Sequence, residues 1–174
     1  MEIIKKAILV CLLLFASVWA LNLIIGSTLI IPITKPEPNK AFELQKGNII
    51  NPLKSFDFNT GNWVAYLVIS RSDFESLPAT IRKARCLKIK DIKALKQLQS
   101  EWNFVYTGGD LVTVESEIYF FNEGKLVLKS GIVLNKETIG LQNRDYGYLE
   151  PKDSTLIIES FKEFKKVYLP IIFL

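Results

Sequence analysis

The stretch LVTVESEIYFFNEGKLVLKSGIVL, residues 111–134, decides the fold class. In its first half Val112, Val114, Ile118 and Phe120 alternate with Thr113, Glu115, Glu117 and Tyr119. In its second half Leu126, Leu128, Ile132 and Leu134 alternate with Lys125, Lys129 and Gly131. A period of two is the mark of a half-buried strand. The connector Asn122-Glu123-Gly124 suits a three-residue hairpin loop with glycine in the left-handed conformation. That loop pairs Phe121 with Lys125, Phe120 with Leu126 and Ile118 with Leu128, and sets Glu117 opposite Lys129 on the other face. One register then serves both faces, so a slipped one is penalised.

Working outward from the hairpin, residues 138–142 return as a third strand, 143–145 form a loop, and 146–149 extend again. Asp153 or Ser154 caps a last helix carrying Ile157, Phe161, Phe164 and Tyr168 at core spacing, until Pro170 stops it. The final four residues, Ile171-Ile172-Phe173-Leu174, are apolar and are expected to be packed or paired as a strand. Upstream, Asp91 caps a helix whose Ile92, Leu95, Leu98 and Trp102 share one face. Residues 86–89 read as a short strand, and Ser72-Asp73-Phe74-Glu75 as a capping box opening a short helix that Pro78 interrupts. WVAYLVI, residues 63–69, is a continuous β-rich apolar run, the pattern of a central strand covered on both faces. Residues 41–60 carry only turn signals, at Gly47-Asn48 and Asn51-Pro52.

The N-terminal quarter is of a different kind. Residues 7–34, AILVCLLLFASVWALNLIIGSTLIIPIT, contain no charge and follow Lys5 and Lys6. As helix this run reaches roughly 42 Å, beyond the ~30 Å hydrocarbon core of a bilayer. Lys5-Lys6, the apolar residues to Ser17 and Val18-Trp19-Ala20 also fit a secretory signal cleaved near Ala20. The apolar run continues through Leu21-Asn22-Leu23-Ile24-Ile25, which favours an uncleaved signal-anchor that meets the membrane through residues 7–26. Leu29 to Ile33 is then expected near the interface. Cys11 lies inside the run and is no lipoprotein cysteine. Flanking lysines (Lys5 and Lys6 against Lys35, Lys40 and Lys46) do not set the orientation. Export of the long C-terminal part places the domain outside the cytoplasm, periplasmic or extracellular. The reading is thus an anchor over 1–34, a Pro-containing linker over 35–40 (Pro36 and Pro38) and a single domain over 41–174.

Composition narrows the chemistry. Outside Glu2, Lys5 and Lys6, 20 basic and 17 acidic residues leave a charge of only +3. There is no basic stripe interleaved with stacking aromatics, so nucleic acid is not an expected partner. The densest basic run, Arg82 to Lys90, reads as a solvated face, with contact to anionic lipid headgroups as the functional alternative. Cys86 has no partner cysteine in the domain, so no internal disulfide holds the fold, and Cys86 is expected as a small buried apolar residue. The chain has no histidine. That removes Ser-His and Cys-His catalytic pairs and histidine-ligated metals. No metal site and no cofactor is expected.

Three segments are candidates for chemistry. Thr107-Gly108-Gly109-Asp110 resembles an anion-binding nest but lacks the lysine and hydroxyl of a phosphate loop, so it reads as a turn. Glu115 and Glu117, two apart on a strand, place carboxylates at roughly 7 Å, within the range of glycosidase pairs. The cross-strand pair of Glu117 with Lys129 is the stronger reading. Gln142 to Tyr148 concentrates an arginine and two tyrosines, residue types that combine contact area with a polar handle. Tyr146 and Tyr148 are expected on one face of a strand.

The sequence therefore predicts an α+β protein: an N-terminal transmembrane helix, then one domain with an antiparallel sheet of about five strands and two or three helices packed on it. The expected core is Trp63, Tyr66, Val68, Leu95, Leu98, Trp102, Val114, Ile118, Phe120, Leu128, Ile132, Phe161 and Phe164. The expected function is non-enzymatic: a single-pass, membrane-anchored domain that binds an unidentified protein partner, as an assembly, regulatory or immunity-type factor. Its docking patch is Arg144, Asp145, Tyr146 and Tyr148, bordered by Asp110. The alternatives are a small hydrolase using Asp110, Glu115 or Glu117, and a carrier of a small apolar ligand.

Overall fold

The computed structural model describes residues 2–25, 29–32, 44–79, 81, 84–108, 114–134, 138–143, 145–169 and 171–173. Helix α1, Glu2–Ile25, holds the uncharged apolar run. Every side chain described in it, through Ala20, is exposed. It is long and apolar enough to cross a membrane, and none of its hydrophobic window is buried inside the protein. Strand β1, Leu29–Ile31, follows after three residues. Within the segment Leu29 to Ile33, expected near the interface, β1 is a paired strand whose partner lies 142 residues further along the chain.

The remainder is built on one antiparallel sheet. In chain order its strands are β2 (Ile49–Ile50), β3 (Trp63–Val68), β4 (Cys86–Ile89), β5 (Phe104–Tyr106), β6 (Ser116–Asn122) and β7 (Lys125–Leu134). They continue with β8 (Ile139–Asn143), β9 (Gly147–Pro151) and β10 (Lys165–Lys166). The spatial order is β10-β4-β3-β6-β7-β8-β9-β5-β2, nine strands where five were expected. Strands β2, β5 and β10 had no reading as strands, being too brief for alternation to reveal; β2 and β10 are the edges of the sheet, and β5 lies between β9 and β2. The last strand, β11 (Ile171–Phe173), pairs in parallel with β1, as Leu29 with Ile171, Ile30 with Ile172 and Ile31 with Phe173. The apolar C-terminus is thus a paired strand, as its composition requires.

Helices α2 (Arg71–Ser76), α3 (Ile92–Glu101) and α4 (Ser154–Ser160) supply apolar side chains to one face. Ser70, not Ser72, caps α2, its hydroxyl accepting from the Asp73 N–H at 3.1 Å. Leu77, the residue before Pro78, turns extended and ends it. Asp91 caps α3 by accepting from the Ala94 N–H at 2.8 Å, and Asp153 caps α4 through the N–H groups of Thr155 and Leu156. The last helix is shorter than its apolar spacing suggests. A 3-10 turn at Phe161–Glu163 follows it, Phe164 goes extended, and Lys165-Lys166 close the free edge of β4. Pairing along that edge takes the place of further helical turns, and Tyr168 is left 61% exposed. Ile92, expected on one helix face with Leu95, Leu98 and Trp102, is 46% exposed.

The main face of the sheet meets these helices. Trp102, wholly buried, sits edge-on to Phe104, Phe120 and Phe161 with ring centroids 6.1–6.4 Å apart. Each such pair contributes ~0.5–1.5 kcal/mol beyond area burial. Its indole N–H donates to the Ser160 hydroxyl at 3.2 Å. The weakly patterned segment before β3 is held by side chains from elsewhere. Gln99 of α3 donates to the carbonyls of Leu53 (2.7 Å) and Phe56 (2.8 Å), and Asn51 donates back to the Gln99 carbonyl at 2.6 Å. The opposite face of β3 is covered too, by Ile30 and Ile172 of the β1·β11 ribbon over Val64, Tyr66, Tyr119, Phe121 and Leu126.

The 111–134 hairpin forms with a different turn and register. Residues 111–113 lie outside the described residues. The turn has two central residues, Glu123 (φ 50°) and Gly124 (φ 74°), the left-handed pair of a type I′ turn, which suits strand twist better than a three-residue loop. Asn122 therefore pairs with Lys125 and Phe121 with Leu126; a bulge then sets Phe120 opposite Leu128 and Ile118 opposite Ser130. The bulge leaves Val127 without an opposite residue and sends Leu126 and Leu128 to different faces. Strict alternation cannot anticipate such a switch. Of the expected core, Val68 and Val114 are half-buried and the other members are buried.

Candidate functional site

The segment singled out for partner binding spans the β8–β9 connection. Arg144 and Asp110 lie outside the described residues. Asp145 and Tyr146 occupy the turn and are half-buried, and Tyr148 lies inside β9. The two tyrosines do not share a face. Alternation begins only at Gly147, so Tyr146 packs against the main core while Tyr148 belongs to the other side of the sheet. There its ring rests on Gly140: a methyl group at Gly140 would stand 2.6 Å from the ring. The Tyr148 hydroxyl donates to the Ile139 carbonyl at 3.4 Å. Burial, joined by the neighbouring charge of Asp145 or Glu150, raises the pKa of Tyr146 and of Tyr148. Both therefore stay neutral donors at physiological pH. Tyr148 is 5% exposed and acts as the clamp that holds β9 on β8. Asp145 and the open part of Tyr146 are what the turn presents.

The carboxylates considered for hydrolysis are engaged in separate bonds. Glu115 accepts from the Ser72 hydroxyl at 2.9 Å. Glu117 lies 2.7 Å from the Lys129 ammonium and accepts from the Tyr119 hydroxyl. Sequence foresaw the Glu117–Lys129 contact, although it forms diagonally, since Tyr119 is the residue opposite Lys129. Burial, then the hydrogen bond to Glu117 and its charge, raise the Tyr119 pKa far above the usual phenol value. A third carboxylate, unnoticed in the sequence, is Asp73. It accepts from the buried Ser116 hydroxyl at 2.5 Å, and that hydroxyl in turn accepts from the Ser70 N–H at 2.8 Å. The chain Asp73–Ser116–Ser70 ties the start of α2 to the start of β6.

Sequence reasoning treated the basic run as a solvated face. The fold converts part of it into a cleft of about 250 Å³ where β10 closes β4, lined by Lys88, Lys90, Lys165 and Lys166 with Asp91 and Glu163. Lys165 and Lys166 had no signal as binding residues, because a helix was expected to run through them. Among the described residues no group of three or more His, Cys, Asp or Glu is placed to hold a metal ion. Cys86 is buried and Cys11 exposed on α1. No protein-family model, curated protein or solved structure matches the chain.

Proposed function

We propose that this chain is a single-pass, membrane-anchored, extracytoplasmic binding protein that acts through protein–protein contact, as an assembly, regulatory or immunity-type factor. The observation that carries the anchor is the complete exposure of the described α1 side chains. Residues such as Leu12, Leu13, Leu14 and Phe15 are 59–64% exposed, and an apolar helix packed on nothing needs a bilayer to cover it. The non-enzymatic reading draws its support from the carboxylates. Asp73 and Glu115 both hold the Ser70, Ser72 and Ser116 hydroxyls where α2 meets β6, and Glu117 is engaged apart from them by Lys129 and Tyr119. The partner surface in this reading is the β8–β9 turn through Asp145 and Tyr146, with Tyr148 fixing its base, and Arg144 and Asp110 complete the set expected from the sequence.

Two measurements test the reading. A reporter enzyme that works only in the cytoplasm, fused after Leu174, is expected to be inactive; activity reverses the orientation. Intact mass beginning near Leu21 would show a cleaved signal and a secreted domain. For the partner surface, Arg144→Ala with Asp145→Ala is expected to weaken partner capture about 30-fold while the melting temperature stays unchanged. Undiminished capture removes the turn from the interface.

A further inference from the structure

The groups that the partner surface leaves unused gather on the opposite side of the sheet from the helices. In the β1·β11 ribbon Ile30 and Ile172 face inward and are buried. Alternation turns their neighbours Ile31 and Phe173, register partners of each other, outward, where they are 37% and 65% exposed. Tyr168 and Leu169, on the approach to β11, are 61% and 58% exposed. Lysines border this apolar surface. Lys88 holds its ammonium over the ring of Tyr66, a member of the ribbon-covered cluster, and Lys165 stands directly opposite Lys88. Lys165 is exposed, whereas Lys166, the register partner of Leu87 in the main core, alternates to the other face.

Bulky apolar and aromatic side chains beside ammonium groups form the composition of a surface that lies in a membrane interface. The apolar groups enter the boundary below the headgroups, and the ammonium groups meet anionic lipid. Chain connectivity names the occupant. α1 ends at Ile25 and β1 begins at Leu29, so at most ~14 Å of extended chain separates the helix from the strand that carries this surface. A bilayer that holds α1 is therefore already within reach of the ribbon.

We propose that the outer side of the β1·β11 ribbon, through Ile31, Tyr168, Leu169 and Phe173 with Lys88 and Lys165, docks on the anionic lipid surface of the membrane that contains α1. The inference rests on the anchor reading above. It makes the anchor an oriented mount rather than a loose tether: the ribbon face lies on the bilayer and the helix-covered face looks away from it.

The test uses the full chain reconstituted in phosphatidylcholine vesicles, with and without about one-third phosphatidylglycerol, the anionic component that the lysines require. An environment-sensitive fluorophore is placed on Phe173→Cys, or on Lys93→Cys of α3 as the outward control, in a Cys11→Ser background. Flotation with vesicles reports the anchor separately. The expected result is a blue-shifted Phe173 probe, quenched by nitroxide lipid several-fold more than the Lys93 probe. Lys165→Glu with Lys88→Gln is expected to halve that quenching or more in the anionic vesicles, with flotation unchanged. A Phe173 probe as wet as the Lys93 probe in floating protein overturns the docking and leaves the anchor standing. Failure to float overturns both. Quenching indifferent to phosphatidylglycerol and to the double substitution overturns the lipid-charge match proposed here. Quenching that rises with the protein-to-lipid ratio gives the surface to a second copy of the chain instead.

Discussion

The two faces of the nine-stranded sheet are covered by different means. The main face joins 25 buried apolar residues drawn from α3, α4, the segment before β3 and seven strands. The ribbon face joins eight, and its cover is a three-residue strand from each end of the chain. The main face therefore carries most of the folding free energy, since stabilisation scales with apolar area removed from water. The ribbon face contributes less, but it brings the exit of α1 against the C-terminal strand. One face makes the domain stable, and the other decides how the domain leaves its helix.

The largest expected effect tests the main face. Ile118 is wholly buried in β6, and Ile118→Asp places an unpaired charge among apolar side chains. No cooperatively melting product is expected; a soluble variant with a normal transition would break the comparison at its root. Next come paired truncations, one on each face. Trp102→Ala is expected to cost ~3–5 kcal/mol and Ile172→Ala ~2–3 kcal/mol, read from denaturant midpoints of the full chain in detergent. An Ile172 loss equal to that of Trp102 would mean that the ribbon is as structural as the helix-covered core.

A smaller effect sharpens the description of the β8–β9 end. Gly140→Ala drives a methyl into the Tyr148 ring and is expected to cost ~1–3 kcal/mol. If Gly140→Ala proves neutral, the ring is not held where it is described.

High pH probes the ribbon face through two of its tyrosines. Tyr66 and Tyr119 lie on the ribbon face, and burial raises the pKa of each, the Glu117 contact adding to it at Tyr119. A phenol with a raised folded value contributes its full stability below the unfolded value of about 10. As pH climbs past that value the unfolded chain ionises first, and stability falls up to the folded value. The melting temperature is expected to drop with a shallower slope above pH 10 in Tyr119→Phe than in the unaltered chain; equal slopes would remove Tyr119 from the linkage. The smallest effect is Lys129→Ala. Its ion pair with Glu117 is part-exposed, so ~0.2–1 kcal/mol is expected, fading with salt.

Local signals fixed the elements whose pattern is carried by neighbouring residues. The apolar helix, the two-sided burial of β3, the caps at Asp91 and Asp153 and the strand character of β6 and β7 were all legible, because period and capping act over a few residues. The α+β class followed from them. What sequence could not reach depends on partners far along the chain. The bulge that parts Leu126 from Leu128, the short strands β2, β5 and β10, and the loop tied down by Gln99 exist only because another element presents donors, acceptors or a cavity there. The candidate site divides the same way. The contact between Glu117 and Lys129 was readable across a hairpin. The burial of Tyr148 over Gly140, the Asp73–Ser116–Ser70 chain and the closing of Lys165-Lys166 on β4 were not, since each joins residues whose spacing in sequence carries no periodic signal. The ends make the point most plainly: an apolar C-terminal strand predicts that it must be covered, and only the tertiary structure decides that β1 is what covers it.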